Sequence, residues 1–76
     1  MRKYKILNRG INNDFYLVEE DDEYHILEIY DDLDIGDIII EIDSSKYLCN
    51  DEEIFAIMQY EYIDLQKAIN VLQDVE

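Results

Sequence analysis

The sequence predicts an α+β fold: an antiparallel meander of four to five strands, an SH3-like or OB-like partial barrel, followed by a C-terminal amphipathic helix. Three observations predict it. Clusters of turn-forming residues at 8–14, 19–23 and 31–37 separate short runs rich in Ile, Tyr, Val and Phe. Within the runs, apolar and polar residues alternate as they do on a half-buried strand. Beyond Asn50 the apolar spacing changes to threes and fours.

The first strand is expected over residues 2–8, the second over 15–20, the third over 24–30 and the fourth over 38–43. In the third, His25, Leu27 and Ile29 oppose Tyr24, Ile26, Glu28 and Tyr30, so both faces are partly apolar and the sheet should curl. In the fourth, Ile38, Ile40 and Ile42 oppose Ile39, Glu41 and Asp43, which suggests that the three outer isoleucines form the buried face. Tyr47-Leu48-Cys49 adds a short fifth strand.

Asn50 followed by Glu53 has the form of a capping box, and Asp51, Glu52 and Glu53 suit the positive end of a helix dipole. Ile54, Met58, Tyr62, Leu65, Ile69 and Leu72 then form one helical stripe, which places the helix over residues 50–74 with its regular part ending near Gln73. β-branched and aromatic residues around Tyr60-Glu61-Tyr62-Ile63 are mediocre helix formers, so a break there into two shorter helices stays open. The whole of 1–76 is expected to be one domain, since 76 residues fall below the usual size of even one unit. A domain this short buries only about 60% of its unfolded surface, which favours binding over an enclosed active site.

Charge is the strongest compositional signal. Six Lys and Arg stand against 20 Asp and Glu, for a net charge of -14. Arg2, Lys3, Lys5 and Arg9 hold four of those bases in an acid-free start; from Gly10 onward only Lys46 and Lys67 oppose the carboxylates, a balance of -18. Such a field repels nucleic acids and anionic membranes and speeds encounter with basic partners. Direct nucleic-acid or membrane binding is therefore not expected.

The lone Cys49 excludes an internal disulfide, there is no signal-peptide pattern, and the longest apolar run, Ile38-Ile39-Ile40, is far too short to span a bilayer; the cytoplasm is the expected compartment. Chemistry is sparse as well. Asp31-Asp32-Leu33-Asp34-Ile35-Gly36-Asp37 fails the EF-hand spacing in either register and reads as a turn in which Gly36 takes a positive φ. His25 and Cys49 supply too few ligands for zinc and lack the third group that a nucleophile pair needs, so no metal, cofactor or catalytic residue is expected. Cys49 is expected as a buried apolar filler and His25 as a sheet-surface residue among carboxylates.

The acids themselves remain. Glu19, Glu20, Asp21, Asp22 and Glu23 form one loop and Asp31, Asp32, Asp34 and Asp37 another, and these nine are the expected partner-binding residues. Carboxylates on alternate strand positions lie roughly 6.6–7 Å apart, a spacing that can imitate a row of phosphates. Tyr16, Tyr24, Tyr30, Tyr47, Tyr60 and Tyr62 offer amphipathic anchors beside them.

In size and composition the chain resembles the small acidic DNA-mimic inhibitors of phages and mobile elements, the anti-restriction, uracil-DNA glycosylase inhibitor and anti-CRISPR proteins. These share surface charge and not a motif, so no functional residue is carried over. The resemblance implies a non-enzymatic inhibitor, monomeric or homodimeric, that occupies the basic groove of a DNA- or RNA-handling protein such as a defence nuclease. Ile35-Gly36-Asp37-Ile38 and Asn50-Asp51-Glu52-Glu53 are similar to a pattern in short, uncharacterised barrel-plus-helix proteins of Gram-positive bacteria, which implies architecture only. The alternative is a small host interaction module that binds through an apolar face of the helix or sheet, with Ile57, Tyr60, Ile63 or Val71 in contact.

Overall fold

The computed structural model describes residues 1–74. Six strands, β1 (Lys3–Arg9), β2 (Phe15–Glu20), β3 (Glu23–Ile29), β4 (Ile38–Asp43), β5 (Lys46–Cys49) and β6 (Glu52–Tyr60), precede one helix, α1 (Leu65–Leu72). The strands close into a barrel in the order β1-β2-β3-β6-β5-β4, with every neighbouring pair antiparallel. Two three-stranded meanders are thus joined edge to edge. A crossover over residues 30–37 carries the chain past one mouth of the barrel and sets β4 beside β1, so that β4-β1-β2-β3 is a Greek key. Register shifts between Ile6 and Asn8, between Ile26 and Leu27 and between Glu41 and Asp43 supply the local bends that closure requires.

The expected helix over 50–74 is corrected: most of its first half is β6, and the helix spans only Leu65–Leu72. A spacing of four satisfies a two-residue period as well as a helical one, so Ile54 and Met58 fit either reading. In the structure Ile54 and Ala56 point into the barrel and Met58 packs against its core, whereas Phe55 and Ile57 point out. The barrel therefore has six strands, not four or five. Asn50 does not cap a helix. It and Asp51 take φ of 51° and 67°, the two left-handed residues of a tight hairpin turn between β5 and β6. Asp21 and Asp22, with φ of 48° and 68°, turn β2 into β3 in the same way. Asp64 is the true N-cap; its side chain accepts from the Lys67 amide at 3.2 Å.

The barrel is filled by Tyr4, Ile6, Tyr16, Val18, Leu27, Ile29, Ile39, Tyr47, Cys49, Ile54 and Ala56. Three tyrosines carry much of the volume, and burying each large side chain stabilises by roughly 1.5–3 kcal/mol. Ile39 faces inward, so the expected polarity of the fourth strand is reversed: Ile38 and Ile42 are exposed and Ile40 is half-buried on the outer surface. A second, outer core forms where α1 lies across β2 and β3. There Leu17, Ile26, Ile63, Ala68 and Leu72 are buried together, with Leu7, Phe15, Tyr24 and Val71 packed around them. The helix thus covers one side of the sheet, as the amphipathic pattern leads one to expect. Gly36 takes a φ of +96°, as expected of the turn that leads into β4.

Two substitutions test this account. Asp51→Gly relieves a left-handed aspartate and should raise stability by about 1 kcal/mol, measured by urea denaturation. The same change inside the first turn of a helix would lower it. The Tyr4 hydroxyl is buried without a hydrogen-bond partner among the described residues, so Tyr4→Phe should leave stability unchanged or raise it by about 1 kcal/mol.

Candidate functional site

Strand direction decides where the acids go. β1, β3 and β5 end, and β2, β4 and β6 begin, at the mouth crossed by residues 30–37; the turn at Asp21-Asp22 lies at the opposite mouth. The two expected acidic groups are therefore held apart by the strand length, roughly 20 Å for six residues at about 3.3 Å each. They do not make one continuous patch.

At the crossover mouth Asp31, Asp32, Asp34 and Asp37 are joined by Asp14, Asp51 and Glu52. The last two were hidden from sequence reasoning by their assignment to a helix; the signal that finds them is the Asn50-Asp51 pair as a hairpin turn. Arg9 is the base that meets this crown. Its guanidinium pairs with Asp32 at 2.6 Å and lies over the Tyr16 ring, 5.2 Å from its centroid.

The crown is built rigidly for a loop. The buried Tyr16 hydroxyl donates to the Asp31 carbonyl at 2.7 Å and accepts from the Leu33 amide at 3.2 Å. The Gly36 amide donates to the Ile6 carbonyl and the Ile6 amide to the Asp37 carbonyl, at 2.8 and 2.9 Å, which stitches the crossover to β1. The Asp37 carboxylate accepts from the Asp34 amide at 3.0 Å and lies 3.8 Å from the Cys49 sulfur. Burial, reinforced by Asp37, pushes the Cys49 thiol above its ordinary value; Cys49 is a buried core residue as expected.

At the other mouth the expected display is partly neutralised. Arg2 grips Glu20 through two hydrogen bonds of 2.8 and 2.9 Å and reaches Glu61 with a third nitrogen at 2.9 Å. The Arg2 hydrogen bonds hold the Glu20 carboxyl below the usual range. Glu19 stands opposite Lys5 across β1 and β2, and Asp21, Asp22 and Glu23 remain exposed around the turn. A shallow depression of about 420 Å³, lined by Met1, Arg2, Lys3, Glu20, Asp21 and Glu41, opens beside them.

His25 corrects a second expectation. It is completely buried at this end of the barrel, not on the sheet surface. Its Nδ1 accepts from the Tyr62 amide at 3.1 Å, which leaves Nε2 as the protonated nitrogen facing Glu20 at 3.2 Å. Burial, the largest influence, outweighs the attraction of Glu20 and lowers the imidazole below 6.5. His25 is thus a neutral structural bridge between β3, the residue after Glu61 and the Arg2–Glu20 pair.

The tyrosine anchors divide as well. Tyr16 and Tyr47 are core and Tyr24 is half-buried under the helix, whereas Tyr30, Tyr60 and Tyr62 are exposed. Of the apolar contacts considered for an interaction module, Ile63 is buried and Val71 packs in the outer core; Ile57 and Tyr60 are exposed on β6. Among the described residues no group of three or more His, Cys, Asp or Glu is placed to hold a metal ion, and no helix is long and apolar enough to cross a membrane. Comparison with protein-family models, curated proteins and solved structures finds no match.

A neutral buried histidine makes stability depend on pH with a definite sign. His25 binds its proton more weakly folded than unfolded, so stability present at pH 7 is lost as pH falls below 6.5. The depressed Glu20 adds to this only at lower pH, below its ordinary 4.5. Thermal melts should show a Tm that falls between about pH 6.5 and 5, above the range where ordinary carboxylates titrate. His25→Gln should flatten that interval whatever it does to the Tm at pH 7.

Proposed function

We propose that the protein is a non-enzymatic acidic inhibitor. Its crown of carboxylates imitates the charge of a nucleic acid and occupies the basic groove of a DNA- or RNA-handling protein, in the manner of phage anti-restriction or anti-CRISPR proteins that block a defence nuclease. The observation that carries this reading is the way the crossover is pinned. The Tyr16 hydroxyl and the hydrogen bonds between Gly36, Ile6 and Asp37 hold Asp31, Asp32, Asp34 and Asp37 in place before any partner arrives.

A loop ordered in advance avoids the entropy that a flexible acidic tail would lose on binding, and it presents its charges at fixed separations. Neighbouring Asp14, Asp51 and Glu52 widen the anionic end to the rim of the hairpin turn. The opposite mouth, where Arg2 and His25 engage Glu20, is the secondary contact, with Asp21, Asp22 and Glu23 as its free charges. Binding is electrostatic, so the partner carries Lys and Arg in a groove wide enough for a barrel end, and duplex DNA competes for it.

The test is capture from a bacterial lysate on the immobilised protein, followed by release with added duplex DNA. Retained protein should come off with DNA, and its affinity should fall at least tenfold between roughly 50 and 300 mM salt. Reversing the exposed Asp31 and Asp34 to Lys should abolish capture without changing the circular dichroism spectrum, and reversing Asp21, Asp22 and Glu23 should weaken it less. Retention that ignores salt, duplex DNA and the crown reversal would overturn the proposal.

A further inference from the structure

The two meanders that build the barrel are treated differently on the outside. The outer face of β2 and β3 is apolar and α1 covers it. The outer face of β4, β5 and β6 is also apolar, with Ile38, Ile42, Phe55 and Ile57 exposed by 46, 47, 52 and 38%, and no described element lies over it. Ile40 on β4 and Leu48 on β5 stand opposite each other between the exposed isoleucines of β4 and the exposed Phe55 and Ile57 of β6, and an apolar surface of this kind on a small domain marks a contact site.

Its occupant is written in the register. Lys3 stands opposite Ile40, Ile40 opposite Leu48, and Leu48 opposite Glu53, so one row across four strands reads cation, apolar, apolar, anion. The row is about 14 Å wide at 4.7–4.9 Å per strand. Lys3, Lys5 and Lys46 all lie on or beside this face and make no ion pair among the described residues.

We propose that this face is the interface of a homodimer, with a two-fold axis running roughly along the strands. Such an axis reverses the row, which sets Lys3 of each copy over Glu53 of the other and Ile40 over the other's Leu48. Two sheets packed in this way keep their strands within about 30° and interdigitate their side chains across a layer about 10 Å thick. Phe55, Ile57 and Ile38 extend the apolar centre along the strands. The proposal does not depend on the inhibitor reading, because it uses neither the crown nor any basic partner.

Sedimentation equilibrium of the full chain at loadings from about 1 µM to about 1 mM is the test, a range that covers weak to moderate association. A reversible dimer is expected that persists in high salt, since its centre is apolar. Lys3→Glu alone and Glu53→Lys alone each oppose like charges twice across the two-fold axis and should weaken dimerisation about tenfold or more. The double variant, Lys3→Glu with Glu53→Lys, should restore it, a result that general unfolding cannot produce. Ile40→Ser should also weaken it while the circular dichroism spectrum is kept. A chain that stays monomeric throughout the range, or a dimer indifferent to both charge reversals, would overturn the inference.

Discussion

Closure of the sheet is the constraint on which the rest of the structure depends. An antiparallel meander of this length has two free edges, each with unpaired amides and carbonyls. Pairing β1 with β4 and β3 with β6 removes both. Closure also creates an interior that one sheet face alone must fill, and the chain fills it with Tyr4, Tyr16 and Tyr47 in place of a larger number of aliphatic residues. A tyrosine brings a hydroxyl with it. The Tyr16 hydroxyl uses that group to fasten the crossover, so the same side chain that packs the barrel also shapes the acidic loop at its mouth.

The barrel ends are fastened in different ways. At the crossover mouth backbone hydrogen bonds and the Tyr16 hydroxyl leave most carboxylates pointing outward. At the other mouth Arg2, Glu20, His25 and Glu61 form a connected polar cluster that ties the first residues of the chain to the segment between β6 and α1. Arg2 also lies over the Tyr4 ring, 5.2 Å from its centroid. Exposed pairs such as Arg9–Asp32 contribute little to stability, whereas a bidentate arginine on a largely buried carboxylate, itself facing a neutral histidine, is costly to break.

Much of the architecture was legible from residue pattern. β2 and β4 fall on the expected residues, and β1 and β3 shift by one. Gly36 turns as its position suggests, and both faces of β3 are apolar because one fills the barrel and the other lies under α1. The first half of the expected helix was not legible because Phe55 and Ile57, apolar and exposed, mask the alternation of Ile54, Ala56 and Met58. A strand with apolar residues on both faces has no period to detect, and four-residue spacings then imitate a helix. The same ambiguity hid the inward side of β4, where three consecutive isoleucines allow either face to be the core. Of the candidate site, the acids of the crossover were visible as a cluster, but their separation from the Asp21-Asp22 turn is a property of strand direction and appears only with the topology.

That separation and the bare apolar face belong to one distribution of surface. Carboxylates gather on turns and at strand ends, where solvent screens them and where a tight turn tolerates Asp and Asn at positive φ. Strand middles, which cannot hold rows of like charge opposite one another without repulsion, carry Ile, Leu and Phe instead. A helix covers that apolar girdle along β2 and β3 and leaves it open along β4, β5 and β6. With the acids concentrated at the poles and the apolar residues at the equator, a molecule of net charge -14 keeps one side on which another body can approach without meeting a row of carboxylates. Contacts made at the poles should weaken with salt and contacts made at the equator should persist, so ionic strength separates the two kinds of association in a single protein.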